Sequence, residues 1–183
     1  MDTNRYTEKA RVAFLKAHST ANEYGNVELK GEHLLYGLLF DAQGLVPQIL
    51  EKAGGKVEEL KTTVLKEIEK FPKGNAEISF SRTAYAMLEE AEKLALSMRD
   101  DFVSVEHLYL GILEKADGAL RRALEAYGAD KEKFLRELFK LRGGKRVTSD
   151  NPEDTYDALG KYGVDLVEKA REQKIDPIIG RDE

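Results

Sequence analysis

The sequence predicts an all-α fold: a duplicated four-helix repeat forming a compact pseudo-twofold helical domain, followed by a linker and one further helix. Three observations carry that expectation. Residues 32–39, Glu-His-Leu-Leu-Tyr-Gly-Leu-Leu, return at 106–113 as Glu-His-Leu-Tyr-Leu-Gly-Ile-Leu, an offset of 106 − 32 = 74. The register holds on both sides without a gap: Ala10, Ala17 and Ala21 meet Ala84, Ala91 and Ala95, while Gly44, Leu50, Glu51 and Gly54 meet Gly118, Leu124, Glu125 and Gly128. Apolar residues also recur at the helical period, and no stretch alternates convincingly with the period of two that a half-buried strand requires.

The first helix is expected over residues 5–24, with apolar residues at 10, 13, 14, 17, 21 and 24 on one face. Its twin spans 81–99, with Ala84, Leu88, Ala91, Ala95 and Met98 inward. Gly25-Asn26 ends the first, as glycine and asparagine commonly do, and Asp100-Asp101 is read as the equivalent place in the second. Each octet opens another helix. Ser104 is a good N-cap for the second octet, whereas Lys30 is a poorer one for the first. Short helices near 45–53 and 119–127 follow, each closed by glycine (Gly54, Gly128). Helices around 56–70 and 130–141 complete the copies, the last burying Phe134, Leu135, Leu138 and Phe139. Repeat one thus covers about 4–70 and repeat two about 78–142, within one domain of residues 1–142. Gly143-Gly144 and Ser149-Asp150-Asn151-Pro152 mark a flexible linker over 143–152. A helix is expected from Glu153 to Lys174, and the chain then ends on an apolar-then-charged segment, as if a larger protein were cut there.

Composition narrows the function. Apolar residues make up 42% of the chain and charged residues 34%, with a net charge of −5 and interleaved signs, as in a soluble domain without a phosphate-binding stripe. Arg142-Gly143-Gly144-Lys145-Arg146 is the nearest approach to a basic patch, and it reads as a solvated linker; nucleic acid is not an expected partner. There is no cysteine, which removes thiolate chemistry, and no apolar run long enough to span a bilayer, so a cytoplasmic location away from membranes is expected. No nucleophile elbow, phosphate-binding loop or dinucleotide fingerprint is present, so no catalytic residue is assigned. The repeated Glu-His pairs, Glu32/His33 and Glu106/His107, are the only repeated ionisable constellation. Neighbouring helix residues point about 100° apart and cannot converge unaided on one metal, so no metal site is assigned. The carboxylates are expected to satisfy helix N-termini while the imidazoles pack at the seam between copies. Leu94 and Leu96 add apolar surface where the first copy has Thr20 and Asn22; they serve either as extra core or as an exposed patch for a ligand.

Arg5-Tyr6-Thr7-Glu8-Lys9-Ala10 and both Glu-His-Leu octets resemble the N-terminal domain of the Clp (Hsp100) AAA+ unfoldases, a family marked by a duplicated four-helix repeat. Residues 141–147, Tyr156-Asp157-Ala158-Leu159 and 161–166 are similar to the linker of its ClpB-type branch. The closing Asp176-Pro177-Ile178-Ile179-Gly180-Arg181-Asp182-Glu183 resembles the start of the first AAA+ domain, so 153–183 would be that domain's truncated opening. The resemblance implies an ATP-dependent disaggregase: a homohexamer that threads aggregated chains with a DnaK-type chaperone system, using ATP and Mg. In such a parent, Ile178, Ile179 and Gly180 would lie beside the adenine. This chain holds no Walker motif, so no cofactor is expected here, and it is expected to be monomeric alone. The family's N-domain engages unfolded or aggregated polypeptide through an apolar groove. Positions linked to substrate handling fall on Thr7, Asp100 and Glu106, with groove contacts near Leu94; Glu90 and His107 occupy two groove positions that relatives often keep apolar. The alternative is an adaptor-docking domain of the protease-linked ClpA and ClpC type, which binds a folded partner.

Overall fold

The computed structural model describes residues 3–143, 147–150 and 152. The helix expected over 153–174 and the closing segment with Ile178, Ile179 and Gly180 lie outside the described residues. Eight α-helices form among those described. After a 3₁₀ turn (Thr3–Arg5), copy one comprises α1 (Glu8–Glu23), β1 (Glu28–Leu29), α2 (Gly31–Leu39), α3 (Leu45–Lys52) and α4 (Val57–Glu69). Copy two comprises β2 (Ser79–Phe80), α5 (Arg82–Ser97), α6 (Val105–Lys115), α7 (Gly118–Tyr127) and α8 (Lys131–Arg142). The long helices coincide at both ends, since 8 + 74 = 82 and 23 + 74 = 97.

Equivalent positions cap them. Thr7 Oγ1 accepts from the Ala10 N–H at 3.2 Å, and Ser81 Oγ accepts from the Ala84 N–H at 3.1 Å, so each helix starts just after a hydroxyl that satisfies an orphan donor. α1 is therefore shorter at its start than the apolar pattern suggests. α8 starts on Asp130, whose Oδ1 accepts from the Lys133 N–H at 2.8 Å, and ends on Gly143 at φ 58°.

The copies exchange their leading segments. β2 precedes the first helix of copy two and pairs in parallel with β1 of copy one, Leu29 opposite Phe80. Reciprocally, Tyr6 before α1 bridges Val103 of copy two, and 6 + 74 = 80 while 29 + 74 = 103. Thr7 N–H donates to Val103 C=O and Ser81 N–H to Leu29 C=O, both at 2.9 Å. These two-residue strands are too short to show a period of two, so the sequence pattern does not announce them. Helices exchange likewise: α4 packs on α7, and α3 on α8.

Two glycines set the helix spacing. A Cβ at Gly37 would collide with the Ala13 carbonyl oxygen, and one at Gly111 with the Met87 carbonyl oxygen; 13 + 74 = 87. The octet glycine thus lets α2 lie against α1, and α6 against α5, at backbone contact. Around these pairs Tyr6, Leu35, Ile49, Leu50, Leu60, Leu88, Tyr109 and Phe134 are buried in one continuous core. Tyr109 and Phe134 have ring centroids 4.5 Å apart.

Some expectations change. Phe139, placed in the core from its period, is 52% exposed, because Phe134 and Leu138 already fill the face that α8 turns inward. Leu135 and Met98 are only partly buried. The place of Gly25 (φ 68°) in copy two is taken by Arg99 (φ 60°), one residue before the Asp100-Asp101 expected there. Arg142, read as the start of a solvated basic run, is a buried member of α8. Val147, inside the segment expected to be flexible, is fully buried.

Candidate functional site

Three of the expected site residues meet in one buried corner, where α5 turns into α6. His107 is the third residue of α6, and its Nδ1 accepts from the Ser104 backbone N–H at 2.9 Å. The imidazole, not the neighbouring carboxylate, therefore caps the helix start, and Ser104 Oγ lies 3.0 Å from the same nitrogen. With Nδ1 accepting, Nε2 carries the proton and donates to Asp100 Oδ2 at 2.7 Å. Arg142 arrives from the end of α8: its Nη1 donates to Asp100 Oδ2 at 3.0 Å, and its Nε and Nη2 donate to Glu106 Oε2 at 3.2 and 2.7 Å. Asp100, Glu106, His107 and Arg142 are all at most 5% exposed. Burial alone would raise the Asp100 carboxyl. The His107 and Val147 N–H hydrogen bonds and the Arg142 charge outweigh it and hold the group below the usual carboxylate range. Glu106 Oε1 has no hydrogen-bond partner among the described residues.

Copy one builds the same corner without the buried aspartate and arginine. His33 Nδ1 accepts from the Lys30 N–H at 2.8 Å, and its Nε2 lies 2.8 Å from Asn26 Oδ1. Asn26 stands for Asp100 (26 + 74 = 100), and Ile68 stands for Arg142 (68 + 74 = 142). Burial, followed by the Lys30 charge, pushes the His33 imidazole down to about 4. Glu32 is half-buried; burial raises its carboxyl against a hydrogen bond from its own backbone N–H. Glu32 thus takes up a donor of the first turn of α2 as expected, whereas Glu106 turns to Arg142 instead, and the imidazoles do more than pack. The imidazoles cap, and Glu106 pairs with Arg142, because the third helical position alone reaches back to the cap N–H.

Thr7 is also fully buried, as the N-cap of α1 on the bridge to Val103. Leu94 is half-buried against the core, whereas Leu96 is 67% exposed; the two leucines divide between the alternatives of core and surface. Glu90 faces Lys115 at 4.0 Å. His18 is exposed on α1, and among the described residues no group of His, Asp or Glu is arranged to hold a metal ion. No helix among them is long and apolar enough to cross a membrane.

Sequence reasoning misses two features. The first is Arg142; its signal is the replacement of Ile68 by arginine at an apolar repeat position. The second is a cleft of about 190 Å³ between α1 and the α2–α3 turn, where the apolar Val12, Leu38, Phe40, Leu45, Val46 and Val105 meet the polar Lys9, Asp41 and Gln43. Val12 is 44% exposed and Leu15, one turn on, is 70% exposed. Lys16 Nζ lies 5.1 Å from the Phe40 ring centroid. In copy two the positions of Leu15 and Phe40 hold Glu89 and Glu114.

Comparison with known proteins adds lineage. Residues 5–127 match the model of the Clp repeat (R) N-terminal domain. A ClpB chaperone protein of Nitratidesulfovibrio vulgaris is 40% identical over 189 residues, covering 100% of this chain and 22% of the relative. That of Mycobacterium leprae is 38% identical over 186 residues, covering 100% and 22%. The chain thus spans about a fifth of the length of the curated relatives it matches. Among solved structures, the Hsp104 N-terminal domain from Candida albicans aligns with a TM-score of 0.71 at 20% identity, covering 81% of this chain and 98% of that one. A ClpV N-domain solved with a VipB peptide aligns with a TM-score of 0.61 at 19% identity, covering 77% and 89%. At these identities the two structures establish the shared fold.

Proposed function

The chain belongs to the Clp repeat N-terminal domain family, and on that basis we propose that it captures unfolded or aggregated polypeptide for a ClpB-type, ATP-dependent disaggregase. In this reading residues 1–142 are the capturing domain, 143–152 tether it and 153–183 open the first ATPase domain. ATP, Mg, the hexameric ring and the DnaK-type partner system belong to the longer protein. The chain itself supplies a binding surface and no reaction.

The observation that supports the reading most is apolar surface left in water on α1: Val12, which lines the cleft floored by Leu38, Leu45 and Val46, and Leu15 one turn on. Leu94 and Leu96 offer a second apolar contact on α5. A captured leucine-sized side chain gains about 1.5–3 kcal/mol on burial. Association costs at least about 4 kcal/mol before any gain. Two or three such contacts therefore give micromolar binding or weaker, which suits a domain that must release its cargo onward. Thr7, Asp100, Glu106 and His107 serve in this reading as buried supports of the framework rather than as contacts to the captured chain.

An amide NMR titration with a permanently unfolded model protein tests it. Saturable shifts at Val12, Leu15 and Phe40, or at Leu94 and Leu96, with Leu15→Asp or Leu96→Asp weakening binding severalfold at unchanged melting temperature, support capture. No shift at millimolar ligand ends this reading and leaves a folded adaptor, as for ClpA- and ClpC-type domains, as the partner to seek.

A further inference from the structure

Beyond the end of α8 at Arg142, the chain comes back to the charged corner. Val147 reaches the α5–α6 turn, where its N–H donates to Asp100 Oδ1 at 2.7 Å and its C=O accepts from the Asp101 N–H at 2.7 Å. Two further contacts continue the docking: Asp150 C=O accepts from the Glu8 N–H at 2.6 Å, and its carboxylate lies 3.9 Å from the Arg11 guanidinium. Copy one closes the same way on its own corner, where Asn26 Nδ2 donates to Pro72 C=O at 3.4 Å and Gly74 N–H donates to Gly25 C=O at 3.0 Å. Lys73, which bridges Asn26, is the equivalent of Val147 (73 + 74 = 147). In each copy, then, the corner after the first long helix grips the chain that leaves the fourth.

We propose that Asp100, braced by Arg142, Glu106 and His107, is a latch that docks the root of the following segment, Val147–Asp150, onto the domain. Asp100 divides its oxygens between the two tasks: Oδ2 takes Arg142 and His107, and Oδ1 takes the Val147 N–H. Arg142 ties that carboxylate to Glu106 on α6, so the latch is fixed to the helix core rather than to a loop. The four residues are positioning residues, and they act on where the chain departs without touching a captured polypeptide. The latch goes beyond the capture function and does not depend on it.

Amide hydrogen exchange on the whole chain tests the latch. Asp100→Ala is expected to lower protection of the Val147 amide at least tenfold more than it lowers that of the core amides of α1, α2, α5 and α6. Val147→Asp attacks the contact from the other side, outside every helix, and is expected to speed proteolysis at 147–150 with the melting transition retained. Val147→Asp should bind an unfolded model protein within twofold of the parent chain. A Val147 amide that stays protected in Asp100→Ala, or that falls only in step with all core amides, overturns the latch. So does a tenfold loss of binding with Val147 still docked, which would make Asp100 a substrate contact. Absence of binding by the parent chain would refute the capture function and leave the exchange result to decide the latch alone.

Discussion

A single β-carbon decides how closely each octet helix approaches its neighbour. At Gly111 the added atom would meet the Met87 carbonyl oxygen, which is backbone and cannot rotate away. Gly111→Ala is expected to destabilise the domain by about 1–3 kcal/mol, read from the urea midpoint at constant slope. His33 gives a pH dependence. Its folded imidazole is pushed down to about 4 from an ordinary value of about 6.5, so between those pH values the unfolded chain binds a proton that the folded chain refuses. Stability is complete above pH ~6.5 and falls as pH drops toward 4, by roughly 3 kcal/mol in total at this one site. Protonation at Nδ1 would also set two donors, imidazolium and Lys30 N–H, against each other. Urea melts at pH 7 and pH 4.5 check the direction; equal stability at both would contradict it.

Among the helices, α8 adds one buried guanidinium to its apolar face. Arg142→Leu leaves Asp100 and Glu106 buried without their cation and is expected to cost about 3–5 kcal/mol. The combined variant Asp100→Asn, Glu106→Gln and Arg142→Leu, which brings copy two toward the corner of copy one, is expected to recover most of that loss in thermal melts. A triple variant no more stable than Arg142→Leu would show that the corner needs its charge for more than pairing. The helices themselves are largely legible in the sequence, because Ala10, Ala17 and Ala21 and their twins mark the inner face at helical spacing. The start of α1 is less legible: the expected helix runs through Thr7 to residue 5, and only the hydrogen bond from Ala10 shows Thr7 as a cap. Arg142 is harder still. A basic residue before two glycines looks like linker until its partners, 36 and 42 positions away, come into contact.

In the molecule as a whole, the exchanged leading segments make neither copy complete. β2 finds its partner in copy one and Tyr6 finds its own in copy two, while α4 and α7, and α3 and α8, bury each other. Residues 1–74 or 75–150 expressed alone are therefore expected to lack a cooperative melt by circular dichroism, and mixing the halves to restore helicity. A cooperative transition in either isolated half would contradict the exchange. The duplication and the helical class can both be read from the chain unaided, because each is written in spacing. Packing was needed to bring Asp100, Glu106, His107 and Arg142 into one corner, to dock Val147 there, and to leave Val12 and Leu15 in water. Those facts depend on which distant surfaces meet, and burial turns a polar side chain from a solvated group into a partner only after the helices have packed.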